Sequence, residues 1–60
     1  MGAVNWSGKQ LDGALLQGVD LSGAELQGTS LVHTRLDNAN LLGANLHDAI
    51  LTGTKLHGAR

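Results

Sequence analysis

The stretch Leu21-Ser22-Gly23-Ala24-Glu25-Leu26-Gln27-Gly28-Thr29-Ser30-Leu31 decides the fold. Leucine returns at every fifth residue, with a small residue two places before it and glycine two places after. Outward from there the same step holds through Leu11, Leu16, Leu21, Leu26, Leu31, Leu36, Leu41, Leu46, Leu51 and Leu56 without a break. An α-helix advances about 100° per residue, so leucines five apart would sit about 140° apart and spiral round it. A flat strand alternates faces, so an odd step would put successive leucines on opposite sides. All of them can line one core only if the chain turns a corner once in every five residues, which makes it a solenoid.

The other columns of the repeat agree. Two residues before each leucine from Leu16 on stand Ala14, Val19, Ala24, Thr29, Thr34, Ala39, Ala44, Ala49 and Thr54, all small enough to point inward. The positions just before and just after the leucine are mostly polar, for example Asp20 and Ser22, Arg35 and Asp37, or Lys55 and His57, and face water. Two residues after the leucine glycine dominates, and the exceptions are His33, Asn38 and Asp48. Asn, Asp and His are the non-glycine types most enriched at positive φ. A type II turn requires positive φ at its third residue, so this column is the predicted corner.

Val19-Asp20-Leu21-Ser22-Gly23, Ala39-Asn40-Leu41-Leu42-Gly43 and Ala44-Asn45-Leu46-His47-Asp48 resemble the A-(D/N)-L-x-x motif of the pentapeptide repeat family. The resemblance runs from about Val4 to Arg60. It implies an all-β fold, a right-handed quadrilateral parallel β-helix with four pentapeptides, twenty residues, in each coil. Sixty residues then make about three coils in a single domain over 1–60, with an irregular coil start over 1–10. In that start Trp6 takes the leucine slot and Lys9 an inward column, where its stem must run past the open end of the first coil.

Composition narrows the function. There is no cysteine, hence no disulfide and no thiolate chemistry. The net charge of −1 is too balanced to attract nucleic acid or to act as an acidic decoy. No apolar run approaches the roughly 20 residues of a membrane span, and Met1 to Lys9 lack the apolar segment of a signal peptide. The expectation is a cytoplasmic protein with no membrane contact.

Candidate chemistry is sparse. His33, His47 and His57 fall on a corner and two different faces of a twenty-residue coil, so they cannot converge on one metal. Asp37 and His57 lie twenty apart and are expected to meet in a surface hydrogen bond between neighbouring coils. The inward Thr34 and Thr54 are expected to bond to backbone groups or to each other. Gly8-Lys9 lacks the earlier glycine of a phosphate-binding loop, since Ala3 stands there. With no nucleophile–base pair, metal cluster or cleft, the reading is not an enzyme, with no catalytic residue, no cofactor, no metal and no small-molecule substrate.

What remains is contact with other proteins. Both outer coils expose unpaired ladder groups, an invitation to edge pairing. Sixty residues are a whole number of coils, and Met1 has the phase to follow Arg60 in the leucine column of a next molecule. The expected function is a non-catalytic structural or interaction module, a homo-oligomer joined through its coil ends. The predicted contact residues are Met1, Trp6, Leu41, Leu46, Leu51, Leu56 and Arg60, in a head-to-tail stack or an end-to-end dimer. An inward charge at Lys9 opposes the stack, and a dimer through C-terminal coils avoids it. Val32 and Ile50, outward on adjacent coils, form a candidate lateral contact. Two other readings stay open. Some members of the family mimic DNA and act on gyrase or a related topoisomerase; here Asp12, Asp20, Glu25, Asp37 and Asp48 are offset by Lys9, Arg35, Lys55 and Arg60, which argues against a DNA-like rod. The chain is alternatively a small subunit or fragment capped by a partner protein.

Overall fold

Each corner of the chain is a β-turn closed by the repeat itself. The computed structural model describes residues 3–60. In every pentad the amide three residues after the leucine donates to the leucine carbonyl, as in Ala24 to Leu21 at 3.0 Å and Thr34 to Leu31 at 3.1 Å. Trp6 closes the same turn with Lys9 at 3.0 Å. The third turn residue has positive φ throughout, including His33 at 56°, Asn38 at 62° and Asp48 at 61°. Negative φ at the second turn residue and positive φ at the third define type II turns. The side chains that replace glycine at the corner are therefore the ones the left-handed region tolerates.

Between corners the chain pairs with itself twenty residues away. Parallel bridges join Asn5 to Glu25, Gln10 to Ser30, Leu15 to Arg35, Asp20 to Asn40, Glu25 to Asn45, Ser30 to Ile50 and Arg35 to Lys55. Four pentads thus separate stacked residues. The bridges are isolated, and no extended strand forms among the described residues, because a turn interrupts the chain before pairing can lengthen. Three ladder bonds recur, and in one the corner amide donates nineteen residues on, as in Gly13 to Val32 at 2.9 Å. The leucine amide donates to a carbonyl nineteen residues on, as in Leu31 to Ile50 at 2.8 Å. The amide before the leucine donates twenty-one residues back, as in Arg35 to Ala14 at 2.9 Å.

Burial is layered along the axis. The core consists of Leu21, Ala24, Leu26, Leu31, Leu36 and Ala39, all from residues 21–40. Val4, Trp6, Leu11, Leu16, Val19, Leu41, Ala44 and Leu46 pack against it and are half-buried. Leu51 and Leu56, expected in the core, are 39% and 41% exposed. They keep the inward column of the repeat, but no layer of chain covers them. The other departure is at the start. Residues 3–10, expected to be irregular, carry bridges at Asn5 and Gln10 and a turn at Ser7-Gly8 like the rest. Val4 is inward and small, and the Trp6 backbone follows the leucine pattern, so the pentad geometry survives the larger ring.

The inward threonines bond to the backbone, not to each other. Thr34 Oγ1 donates to the Leu11 carbonyl at 2.7 Å, and Thr54 Oγ1 donates to the Leu31 carbonyl at 2.7 Å. Thr29 Oγ1 donates to Leu26 at 2.5 Å. Each hydroxyl occupies the second lone pair of a turn carbonyl, which is why Thr29 and Thr34 are tolerated with no exposed surface.

Candidate functional site

The outward asparagines and aspartates have a structural task that their polarity alone did not announce. Asn5, Asp20, Asn40 and Asn45 each accept the amide two residues ahead through Oδ1, at 3.0–3.1 Å. That amide belongs to the second turn residue, which the ladder leaves unpaired. The side chain thereby pins each corner in an Asx-turn. Asp12 reaches one layer further, accepting Ser30 Oγ at 2.6 Å and the Val32 amide at 3.1 Å. At Asp20 the Ser22 hydroxyl, and secondarily its amide, hold the carboxyl below its ordinary value of 3.8, with desolvation opposing them.

The titratable groups do not assemble into chemistry. Asp37 does not meet His57; its Oδ2 takes Arg35 Nη2 at 2.5 Å. Arg35 is two residues away on the same outer surface, and its long, permanently charged side chain reaches the carboxylate. His47 Nε2 lies 3.3 Å from Asp48 Oδ2, both largely exposed. His33 stands on its corner. No group of three or more metal-ligating side chains occurs among the described residues. No helix is long and apolar enough to cross a membrane among them.

The remaining candidates are the two ends. On the C-terminal rim the amides of Leu46, Asp48, Leu51, Gly53, Leu56 and Gly58 occupy positions that donate to the next layer elsewhere, and make no backbone hydrogen bond among the described residues. The N-terminal rim is the reverse: the carbonyls of Asn5, Ser7, Gln10, Asp12, Leu15 and Gln17 occupy the accepting positions. Of the predicted contact residues, Leu51 and Leu56 are exposed on the C-terminal rim, Leu41 and Leu46 are half-buried, and Arg60 closes the ladder by donating to Ala39 at 3.0 Å. Trp6 is half-buried on the N-terminal rim. Met1 lies outside the described residues. Ile50 is 50% exposed, whereas Val32 is only partly exposed and its amide is taken by Asp12.

Comparison with known proteins agrees with the repeat. A family model described as pentapeptide repeats matches residues 2–31 and 29–60, in 8 copies. Among solved structures, a pentapeptide repeat protein from the cyanobacterium Cyanothece 51142 is similar, with a TM-score of 0.57 and 34% identity over 92% of this chain. That match covers 42% of the cyanobacterial chain, so the sixty residues span less than half its length. A pentapeptide repeat protein from Nostoc Pcc 7120 matches at 27% identity over 97% of this chain and 76% of its own, with a TM-score of 0.36. No curated protein matches.

Proposed function

The chain belongs to the pentapeptide repeat family, and on that premise we propose that it is a non-catalytic structural or interaction module that self-associates through its coil ends. The family premise also carries the finer architecture: a right-handed, quadrilateral helix of about three coils of four pentapeptides. The twenty-residue register of the bridges supports four sides.

The observation that carries the reading is the C-terminal rim. It combines apolar side chains held toward the axis, Leu51 and Leu56, with a row of amides that have no backbone partner. Exposed apolar surface beside an unpaired ladder edge favours association with another edge of the same kind. A further coil, supplied by a second molecule, covers both features together. The DNA-mimic reading has less behind it, because Arg35 and Lys55 stack on one face and Arg35 neutralises Asp37. Capping by a different protein would use the same rim.

Sedimentation velocity of the purified sixty-residue chain, with circular dichroism to verify folding, tests the proposal. The expected result is a mass that rises with concentration through the micromolar range. A folded monomer throughout that range would remove self-association and leave a partner protein as the occupant of the rim.

A further inference from the structure

We propose that Asp12-Gly13 is a latent site of aspartate isomerisation, kept unreactive by its bonds to Ser30 and Val32 in the next layer and released when those layers part.

The sequence singles the pair out. Asp12 is the one aspartate or asparagine of the chain that is followed by glycine. Glycine has no β-carbon, so its amide nitrogen is the least hindered toward the carboxyl of the residue before it. Attack of the Gly13 nitrogen on Cγ of Asp12 forms a new C–N bond and closes a five-membered succinimide. The carboxyl hydroxyl leaves as water, taking up the amide proton. Water then adds back and opens the ring. Opening at the main-chain carbonyl leaves Gly13 joined through Cγ, with the former backbone carbonyl as a free carboxylate. One water leaves and one returns, so the reaction needs no oxidant, reductant or other co-reactant.

Both residues are exposed, so water reaches them and burial does not protect them. Three features of the geometry do. The turn is the first. Ala14 closes it by donating to the Leu11 carbonyl at 3.1 Å, which makes Asp12 the second residue of a type II turn, with ψ near about +120°. That angle turns the Gly13 nitrogen away from the Asp12 side chain, whereas ring closure needs the two eclipsed. The second feature is the nucleophile: the Gly13 amide donates to the Val32 carbonyl at 2.9 Å. The third is the carboxylate. Asp12 Oδ1 is drawn to the next layer, accepting Ser30 Oγ at 2.6 Å and the Val32 amide at 3.1 Å. Asp12 thus caps the Val32 corner, where Ser30 stands in the place that Asn40 fills for Leu42. Separation of residues 11–13 from residues 30–32 breaks the last two restraints together and frees the turn to rotate.

The product does not fit back. An isoaspartyl link runs the main chain through Cβ and Cγ, adding a methylene between Leu11 and Gly13. The amides of Leu11 and Gly13 donate to Ser30 and Val32 at 2.8 and 2.9 Å, and the longer link shifts one of them out of step with the other. The new carboxylate sits directly on Cα and falls short of Ser30 Oγ and the Val32 amide. A transient opening of these two layers therefore becomes a lasting one.

The experiment ages the purified chain for weeks at neutral pH, folded in buffer and unfolded in guanidinium, with circular dichroism to verify each state. Endoproteinase Asp-N cuts before aspartate and not before isoaspartate, so lost cleavage between Leu11 and Asp12 measures conversion. The folded chain is expected to convert at least roughly tenfold more slowly than the unfolded one. Folded Ser30→Ala converts roughly threefold faster than the parent, and Ser30→Thr, which keeps the hydroxyl, converts at the parent rate. In the converted protein the Leu11 and Gly13 amides exchange hydrogen faster. Equal rates in the folded and unfolded parent, or no conversion in the unfolded chain, would overturn the proposal without recourse to any variant. A folded Ser30→Ala that ages at the parent rate would overturn the part assigned to the Ser30 bond.

Discussion

Leu31→Ala is expected to unfold most of the chains at room temperature, whereas Leu56→Ala leaves a folded protein. Both residues occupy the same column of the repeat, but Leu31 is 1% exposed and Leu56 41%. Removing a fully buried leucine costs about 2–5 kcal/mol because the walls of the cavity cannot close. Those walls are stapled to the layers on either side by the Leu31–Ile50 and Leu11–Ser30 ladder bonds. A sixty-residue domain has about 3–9 kcal/mol of stability in total. The rim leucine loses only about 1 kcal/mol, since nearly half of it is already in water. Urea unfolding followed by circular dichroism measures both, at a concentration where the chain is monomeric. Equal costs at the two positions would contradict the layered core. Where the chain associates, the cost of Leu56→Ala should grow with concentration, because stacking moves that side chain into a core.

Gly53→Ala is expected to cost about 2–3 kcal/mol, clearly more than Gly13→Ala. Both corners need positive φ, 66° at Gly53 and 72° at Gly13, and a β-carbon there costs roughly 1–2 kcal/mol by itself. At Gly13 nothing lies within 4 Å of the added atom, so the cost stops there. At Gly53 the His33 ring stands in its place and must swing into solvent. In a His33→Gly background the excess should vanish and the two substitutions should cost the same. A double-mutant cycle of chemical denaturation midpoints measures this coupling. An excess that persists without His33 would mean that the imidazole does not occupy the space beside Gly53.

Much of this was legible in the residues, for identifiable reasons. The leucine step has only one solution once helix and strand are excluded, so the inward columns follow from arithmetic. The corner was legible because backbone sterics restrict what can replace glycine, and His33, Asn38 and Asp48 obey that restriction with φ between 56° and 62°. The twenty-residue period was not readable from the leucines, which are identical at every side of the coil. Its trace lay in the corners, where His33 and Asn38 each have glycine twenty residues on either side. That spacing makes sense only if those residues stack.

Other contacts were decided by competition that the sequence does not rank. Asp37 had two partners in reach, and the closer, permanently charged Arg35 took it from His57. The inward threonines had each other or the backbone, and a leucine carbonyl with a spare lone pair lay nearer. The Asx-turns at Asn5, Asp20, Asn40 and Asn45 were visible only as polarity, although a carboxyl or carboxamide two residues before an unpaired turn amide was the available signal. The exposure of Leu51 and Leu56 was foreshadowed by the expectation of bare rims. Treating all ten leucines as one core overlooked it, because an inward direction buries a side chain only where another layer covers it.

The central claim is that a five-residue step closes on itself every twenty residues through a parallel ladder. Scalar couplings across backbone hydrogen bonds, measured by nuclear magnetic resonance on labelled protein, read that ladder directly. The account predicts couplings from the Leu31 amide nitrogen to the Ile50 carbonyl carbon, from Leu21 to Asn40, and from Arg35 back to Ala14. Couplings from each amide to the residue four before it, or to partners at any spacing other than these, would contradict it.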